Sequence, residues 1–97
     1  MRESDIEKHL VKQVKSMGGL CLKLAPINAS GLPDRLILLP EGICIFAELK
    51  APKQSPRPLQ LYVHKKLRKL GFTVLVFDSK IEIDKWKNYY ISPTTTK

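Results

Sequence analysis

Two apolar runs joined by a three-residue turn constrain the fold of this chain most strongly. Residues 35–39 and 43–49 are mostly Ile, Leu and other apolar side chains, and a Pro-Glu-Gly turn lies between them. Apolar runs of this length around such a turn are typical of a β-hairpin. Reflecting the chain about the turn places Asp34, just before the first run, opposite Glu48 or Leu49 in the second.

The flanking segments predict two further strands and three helices. Apolar residues recur at helical spacing in three stretches, and two other stretches are short apolar runs. We predict strands over 20–24 and 73–77, and we expect the second to be buried because it is almost entirely apolar. The predicted helices cover 4–17, 59–70 and a last segment from Asp78 or Ser79 to about Tyr90.

Some side chains have expected structural roles in these helices. Ser4 and Glu7 have the spacing of a capping box at the start of the first helix. Pro, Gly, Asn and Ser residues over 25–33 predict a loop. The second helix carries an apolar stripe that we expect to face inward, made of Leu59, Val63, Leu67 and Leu70.

The predicted order α-β-β-β-α-β-α indicates an α/β fold. The third strand, second helix and fourth strand form a β-α-β unit, so these two strands should be parallel and joined by a right-handed crossover. We therefore expect a mixed β-sheet flanked by helices. Ninety-seven residues correspond to one domain over 1–97, with a tail that frays from about residue 91.

Composition favours a protein of the cytoplasm. No run approaches the roughly 18 apolar residues of a membrane span, and the N-terminus has no apolar secretion signal. Cys21 and Cys44 lie inside apolar runs, which fits buried free thiols in a reducing compartment better than a disulfide. We therefore expect no membrane association.

The net charge of +8 comes entirely from the second half of the chain. Residues 1–48 carry six basic and six acidic side chains, whereas residues 49–97 carry eleven basic and three acidic ones. No acidic residue lies between Leu49 and Phe77. This asymmetry predicts a surface for a polyanion such as nucleic acid. The alternative is a helix face that lysines keep solvated.

Asp34, Glu48 and Lys50 predict a site for a divalent metal ion. Opposed residues of antiparallel strands have Cβ atoms about 4.5–5.5 Å apart, so two carboxylates can share one cation. Alternation along the strand puts Glu48 and Lys50 on the same face. Oxygen ligands favour Mg²⁺ or Mn²⁺ over zinc, and a neighbouring lysine can stabilise charge on phosphoryl oxygens. The alternative is a surface cluster of ion pairs.

These residues resemble the signature of the PD-(D/E)XK nucleases. Gly-Leu-Pro-Asp at 31–34 and Glu-Leu-Lys at 48–50 fit both that superfamily and, more closely, the virus-type replication-repair nuclease (VRR-NUC) domains. Glu7 fits the acid of their first helix, and Gln60 fits the glutamine after the second motif. The resemblance spans residues 6–86 and implies a restriction-endonuclease-like core.

The resemblance also implies roles at the centre of the site. Asp34, Glu48 and the backbone carbonyl of Leu49 would bind Mg²⁺ or Mn²⁺. Lys50 would orient or activate the attacking water.

Other residues would act around this centre. By resemblance, Glu7 would reach the metal directly or through a water, and Gln60 would contact Lys50 or the substrate. The basic half would hold the DNA backbone, although a solvated surface is the alternative for each of its members. The predicted DNA contacts are Lys53, Arg57, His64, Lys65 and Arg68.

The activity implied is Mg²⁺- or Mn²⁺-dependent cleavage of DNA by an endonuclease. The resemblance further implies a homodimer with two active sites, suited to branched DNA such as Holliday junctions. It places the protein in phage or bacterial replication and repair, in the cytoplasm of a bacterial host. The alternative function is a non-catalytic nucleic-acid-binding module of the same fold, and a purely structural dimer is a third possibility.

Overall fold

A computed structural model describes residues 1–24 and 31–91 of the chain. It confirms the α/β class and the predicted element order, and the strands over 35–39, 43–49 and 73–77 have the predicted bounds. Most of the predicted loop over 25–33 and the tail from residue 92 lie outside the described residues. The elements are α1 (Glu3–Ser16), β1 (Leu20–Lys23), β2 (Arg35–Leu39), β3 (Ile43–Leu49), α2 (Pro58–Lys69), β4 (Thr73–Phe77) and α3 (Lys80–Ile91).

The four strands form one mixed sheet in the order β1-β2-β3-β4. β2 is antiparallel to β1 and to β3, and β3 is parallel to β4 across the α2 connection, as predicted. Arg35 lies opposite Ala47, so continuing the register by one residue sets Asp34 opposite Glu48. The hairpin thus selects one of the two pairings that the sequence left open.

The core fills the space between the sheet and two helices. α1 and α3 pack on one face, where apolar residues of the central strands meet them. Each large aliphatic side chain buried there contributes about 1.5–3 kcal/mol, which makes this layer the main support of the fold. Its fully buried members include Ile6, Leu10, Val14, Ile37, Ile45, Ala47, Leu49 and Ile83.

α2 lies on the opposite face, where it packs against β4 and reaches β3, and its predicted inward stripe is only partly correct, because Val63 and Leu67 are half-buried while its two ends are exposed. Leu59 and Leu70 of that stripe are 53% and 74% exposed, whereas the buried residues of α2 are Gln60 and His64. The helix is turned so that these two polar side chains face β3. The ends of the apolar stripe therefore face solvent instead of the sheet.

No described helix covers the β1–β2 part of this second face. Alternation leaves a set of apolar side chains there, half-buried or exposed, and the Phe46 and Phe72 rings meet edge to face at 5.7 Å. We call this set the open apolar face: Leu20, Leu22, Leu36, Leu38, Phe46 and Phe72.

The expected burial of the last strand is only partly correct. β4 is an edge strand, because it pairs with β3 alone. Val74 and Phe77 are buried, but Thr73 and Val76 are exposed. An apolar run therefore did not distinguish an edge strand from a central one.

The helix starts differ in how well they match the predicted caps. The expected Ser4–Glu7 capping box is wrong, because α1 begins one residue earlier and Asp5 accepts a hydrogen bond from the Arg2 backbone N–H at 3.2 Å. At α3, the Ser79 hydroxyl accepts from the Glu82 backbone N–H at 3.2 Å, which confirms the serine as the cap.

The cysteines and the helix lengths bear on two other expectations. Cys21 and Cys44 are free, as predicted, although both are half-buried rather than buried. They point to opposite faces of the sheet, which separates the two thiols. Within the described ranges, no helix has the length and apolar character needed to cross a membrane.

Candidate active site

Asp34 lies at the start of the hairpin, where contacts to β3 and to α2 hold it and the residues before it. Its Oδ2 accepts a hydrogen bond from the Leu49 backbone N–H at 2.8 Å, and the preceding Pro33 is buried. Gly31 has φ +74°, and a Cβ there would lie 2.8 Å from the Leu59 carbonyl oxygen. Because a side chain at this position would push the loop off α2, the glycine helps to set the carboxylate in place.

Glu48 is the buried centre of the site, with 1% of its surface exposed. Its Oε2 accepts a hydrogen bond from Gln60 Nε2 at 2.7 Å and lies 3.3 Å from Lys50 Nζ. Its Oε1 has no hydrogen-bond partner among the described residues, and His64 Nε2 lies 3.7 Å away. The structure therefore brings Glu48 and Lys50 together, as predicted, and adds an imidazole.

The surroundings of Glu48 disfavour its ionised form, which a bound cation would stabilise. Burial, and after it the nearby charge of Asp34, raise its pKa to about 7. Lys50 opposes both effects by its charge and its hydrogen bond. A divalent cation between the two carboxylates would remove their repulsion and favour the ionised form of Glu48.

Gln60 is hydrogen-bonded to Glu48, and no hydrogen bond joins it to Lys50 among the described residues; its contact with the substrate stays a prediction. Its Oε1 accepts from the Arg57 backbone N–H at 2.8 Å, while its Nε2 donates to Glu48. One amide thus joins the start of α2 to the carboxylate. The sequence signal for the bond to Arg57 was a glutamine at the third position of a helix that begins at Pro58, which is a capping-box position.

Glu7 pairs with two basic side chains, those of Arg35 and Lys23. Its Oε2 accepts from Arg35 Nε at 2.8 Å and lies 3.8 Å from Lys23 Nζ. Ionised carboxylates do not bond to one another, so these contacts do not bear on a shared metal ion. Glu7 as a residue that reaches the metal, directly or through a water, stays a prediction.

Glu3 is the acid of α1 that sequence reasoning missed. Its charge is one of the influences that raise the pKa of Glu48, although a smaller one than burial or Asp34. It precedes Glu7 by four residues, so both lie on the same side of the helix.

The donor set at this site fits a hard divalent cation. Two carboxylates face each other, and one buried oxygen, Glu48 Oε1, has no hydrogen-bond partner in the described chain. No group of three or more His, Cys, Asp or Glu side chains in the described part of the chain could hold a metal ion. An ion here would keep several waters, as Mg²⁺ usually does. The Leu49 carbonyl as a third ligand stays a prediction.

The predicted DNA contacts separate into three groups. Lys53, Arg57 and Lys65 are exposed and free of ion pairs to described acids. The guanidinium of Arg68 is drawn back onto the fold, where Nη2 donates to the Val74 carbonyl at 2.8 Å. His64 is fully buried, so its predicted contact with DNA is wrong. It shares a helix face with Gln60, and that face turns inward to meet Glu48.

Comparison with known proteins identifies the family of this arrangement. No family model matches the sequence. The chain is 48% identical over 80 residues to "Putative nuclease p44" of Acyrthosiphon pisum secondary endosymbiont phage 1, covering 82% of this chain and 86% of the relative. A solved structure described as a VRR_NUC domain superposes with a TM-score of 0.84 at 34% identity, covering 93% of this chain and 99% of that one. The chain therefore belongs to the VRR-NUC family of nuclease domains.

Proposed function

We propose that this protein is a metal-dependent endodeoxyribonuclease that hydrolyses phosphodiester bonds, with selectivity for branched DNA such as Holliday junctions. The observation that carries the proposal is the pairing of Asp34 with Glu48 at the end of the hairpin, with Lys50 Nζ 3.3 Å from Glu48. Membership of a nuclease family supports the reaction class.

Each residue of the site has a distinct task in this reaction. Asp34 and Glu48 hold the cation, and the Leu49 N–H and Gln60 fix the two carboxylates. A bound Mg²⁺ or Mn²⁺ supplies Lewis-acid stabilisation of the phosphate and a water of lowered pKa. Lys50, with only 15% of its side chain exposed, offers a positive charge to the phosphoryl oxygens as their charge increases.

The basic half of the chain would bind the DNA backbone without reading its sequence. Lys53 and Arg57 lie in the segment that links Lys50 to α2, so their charges stand near the site. Lys65 lies on α2 with Lys66, Lys69 and Tyr62 around a surface pocket. Contacts made mainly with phosphates predict low sequence preference and a steep loss of affinity with salt.

Selectivity for branched DNA would come from a homodimer that presents two active sites. The open apolar face supports this part of the proposal, because it has no charged members that would oppose a second copy. The phage origin of the p44 relative supports a place in the cytoplasm of a bacterial host.

Cleavage of a labelled four-way junction and of a linear duplex of the same sequence tests the proposal. Wild type should cut with Mg²⁺ or Mn²⁺ and not with chelator, and the junction should be cut faster. Lys50→Ala should lose about 10²- to 10³-fold in rate, as expected when one charge-stabilising donor is removed. Lys85→Ala, which removes the same charge from an exposed position on α3, should cut like wild type.

The outcomes separate the two candidate functions. Tight, salt-dependent DNA binding with no cutting under either metal would contradict the nuclease proposal and favour a non-catalytic binding module. Equal loss of cutting in both lysine variants would show that overall charge, rather than Lys50 itself, controls the reaction.

A further inference from the structure

His64 is a buried histidine for which the reaction as proposed has no use. None of its surface is exposed, and neither ring nitrogen has a hydrogen-bond partner among the described residues. Its Nε2 lies 3.7 Å from Glu48 Oε1, an oxygen that is also buried and also without a partner. Buried polar groups are normally hydrogen-bonded. Here a ring nitrogen that can donate a hydrogen bond lies close to a carboxylate oxygen that can accept one.

The His64 ring can carry a proton on Nε2 in either of its protonation states. A neutral imidazole has one N–H donor and one acceptor nitrogen. Glu48 Oε1 can only accept while the carboxylate is ionised, so the proton has to be on Nε2 for the two groups to bond.

We propose that His64 is the positioning residue of Glu48, and that its Nε2–H donates a hydrogen bond to Oε1 after a small movement of either side chain. Gln60 and His64 would then hold the two oxygens of Glu48 from the same helix. Each carboxylate oxygen has two acceptor sites. Gln60 and Lys50 use both sites of Oε2, so Oε1 keeps one site for a metal ion after bonding to His64. The inference rests on the proposed function only in giving Glu48 a metal to bind.

In this arrangement α2 orients a metal ligand, a role in which its polar rather than its apolar residues take part. Gln60 and His64 are one turn apart on the face of the helix that meets β3. Partners that orient a ligand of a metal site commonly change metal affinity by about 10- to 100-fold when they are removed. A merely structural histidine would change stability without changing metal affinity.

The first test is the nitrogen NMR signature of the ring in metal-free protein, recorded well above pH 7 so that the carboxylate of Glu48 is ionised. The chain has two histidines, so the His9 signals can be assigned with a His9→Gln variant. His64 should carry a proton on Nε2, and its shifts should move in Glu48→Gln. A proton on Nδ1 alone, or shifts that ignore Glu48→Gln, would overturn the proposal.

The second test measures Mn²⁺ affinity by electron paramagnetic resonance or calorimetry. His64→Leu should bind Mn²⁺ about 10- to 100-fold more weakly than wild type. His64→Gln, whose amide nitrogen can take the place of Nε2, should recover most of the affinity. Val74→Ala is the matched control, because it loosens the same contact between α2 and the sheet without touching Glu48.

The results distinguish this inference from the proposed function. Wild type that binds no Mn²⁺ would contradict the proposed function, and the ring signature would still decide the bond between His64 and Glu48. Wild-type affinity in His64→Leu, or an equal loss in Val74→Ala, would overturn the role of His64 alone. If His64→Leu does not fold, as judged by circular dichroism, the His64→Gln variant and the ring signature decide.

Discussion

Glu48 costs the metal-free fold stability at neutral and alkaline pH. Burial and the charge of Asp34 raise its pKa from an ordinary 4.5 to about 7. The folded state therefore binds this proton more tightly than the unfolded chain does, and the penalty is absent below pH 4.5. It grows as the pH rises through this interval and is complete above about pH 7, where it is on the order of 3 kcal/mol.

A Glu48→Gln variant should remove this pH dependence. With chelator present, we expect the variant and wild type to have similar unfolding free energies near pH 5. By pH 8 the variant should be the more stable by on the order of 3 kcal/mol, because wild type then buries a charge. Urea denaturation across this pH range measures the difference. The variant should also lose Mn²⁺ binding, so it gains stability as it loses its ligand.

The control for this experiment is Glu82→Gln, which changes an exposed glutamate. The difference in unfolding free energy between this variant and wild type should stay the same from pH 5 to pH 8. Parallel stability curves for Glu48→Gln and wild type would mean that the buried carboxylate does not carry the expected cost.

At the scale of elements, alternation and turn residues predicted the hairpin, and its register to within one residue. The apolar runs and the Pro-Glu-Gly turn were sufficient to bound β2 and β3, and the same reflection brought Asp34 opposite Glu48 or Leu49, of which the structure has Glu48. Local pattern determines these features, because strand alternation and turn length leave few registers that bury one face.

What the pattern could not predict was the partner of each helix face. The apolar stripe of α2 indicated a core face, yet the buried side chains are Gln60 and His64. Helical periodicity reports that a stripe exists and not what covers it. In the same way, the four-residue spacing of Glu3 and Glu7 did not show that Glu7 pairs with Arg35. Both features depend on contacts far apart in sequence.

The hairpin turn itself contains a testable strain. Glu41 has φ +69° and Gly42 has φ +78°, and a Cβ added at Gly42 would meet nothing within 4 Å. A non-glycine residue in this region costs about 1–2 kcal/mol, and asparagine tolerates it better than glutamate.

We expect two turn variants to shift the stability in opposite directions. Glu41→Asn should stabilise the fold by up to about 1 kcal/mol, and Gly42→Ala should destabilise it by about 1–2 kcal/mol through backbone strain alone. For a domain of this size, each kcal/mol moves the melting temperature by roughly 4–8 °C. Thermal denaturation measures both. A stabilising Gly42→Ala would contradict the left-handed turn.

At the scale of the whole molecule, the two faces of the sheet are unequal. α1 and α3 cover one face with a closed core, whereas α2 covers only part of the other. The open apolar face and α2 lie on the same side of the sheet, where Leu59 and Leu70 also expose apolar surface. Small domains commonly complete their burial by association, and homodimers are the most common outcome.

We therefore expect wild type to sediment as a dimer, at twice its chain mass of 11.0 kDa. Leu22→Lys places a charge in the open apolar face, at a side chain that is 42% exposed, and should give a folded monomer because the two copies would then oppose like charges. Ile81→Lys is the control, since Ile81 is exposed on α3, on the other side of the sheet. Analytical ultracentrifugation measures both.

If the dimer presents two sites to one junction, the Leu22→Lys monomer should also lose its preference for the junction over linear duplex. A monomeric wild type, or dissociation by Ile81→Lys to the same extent, would contradict an interface on the open apolar face.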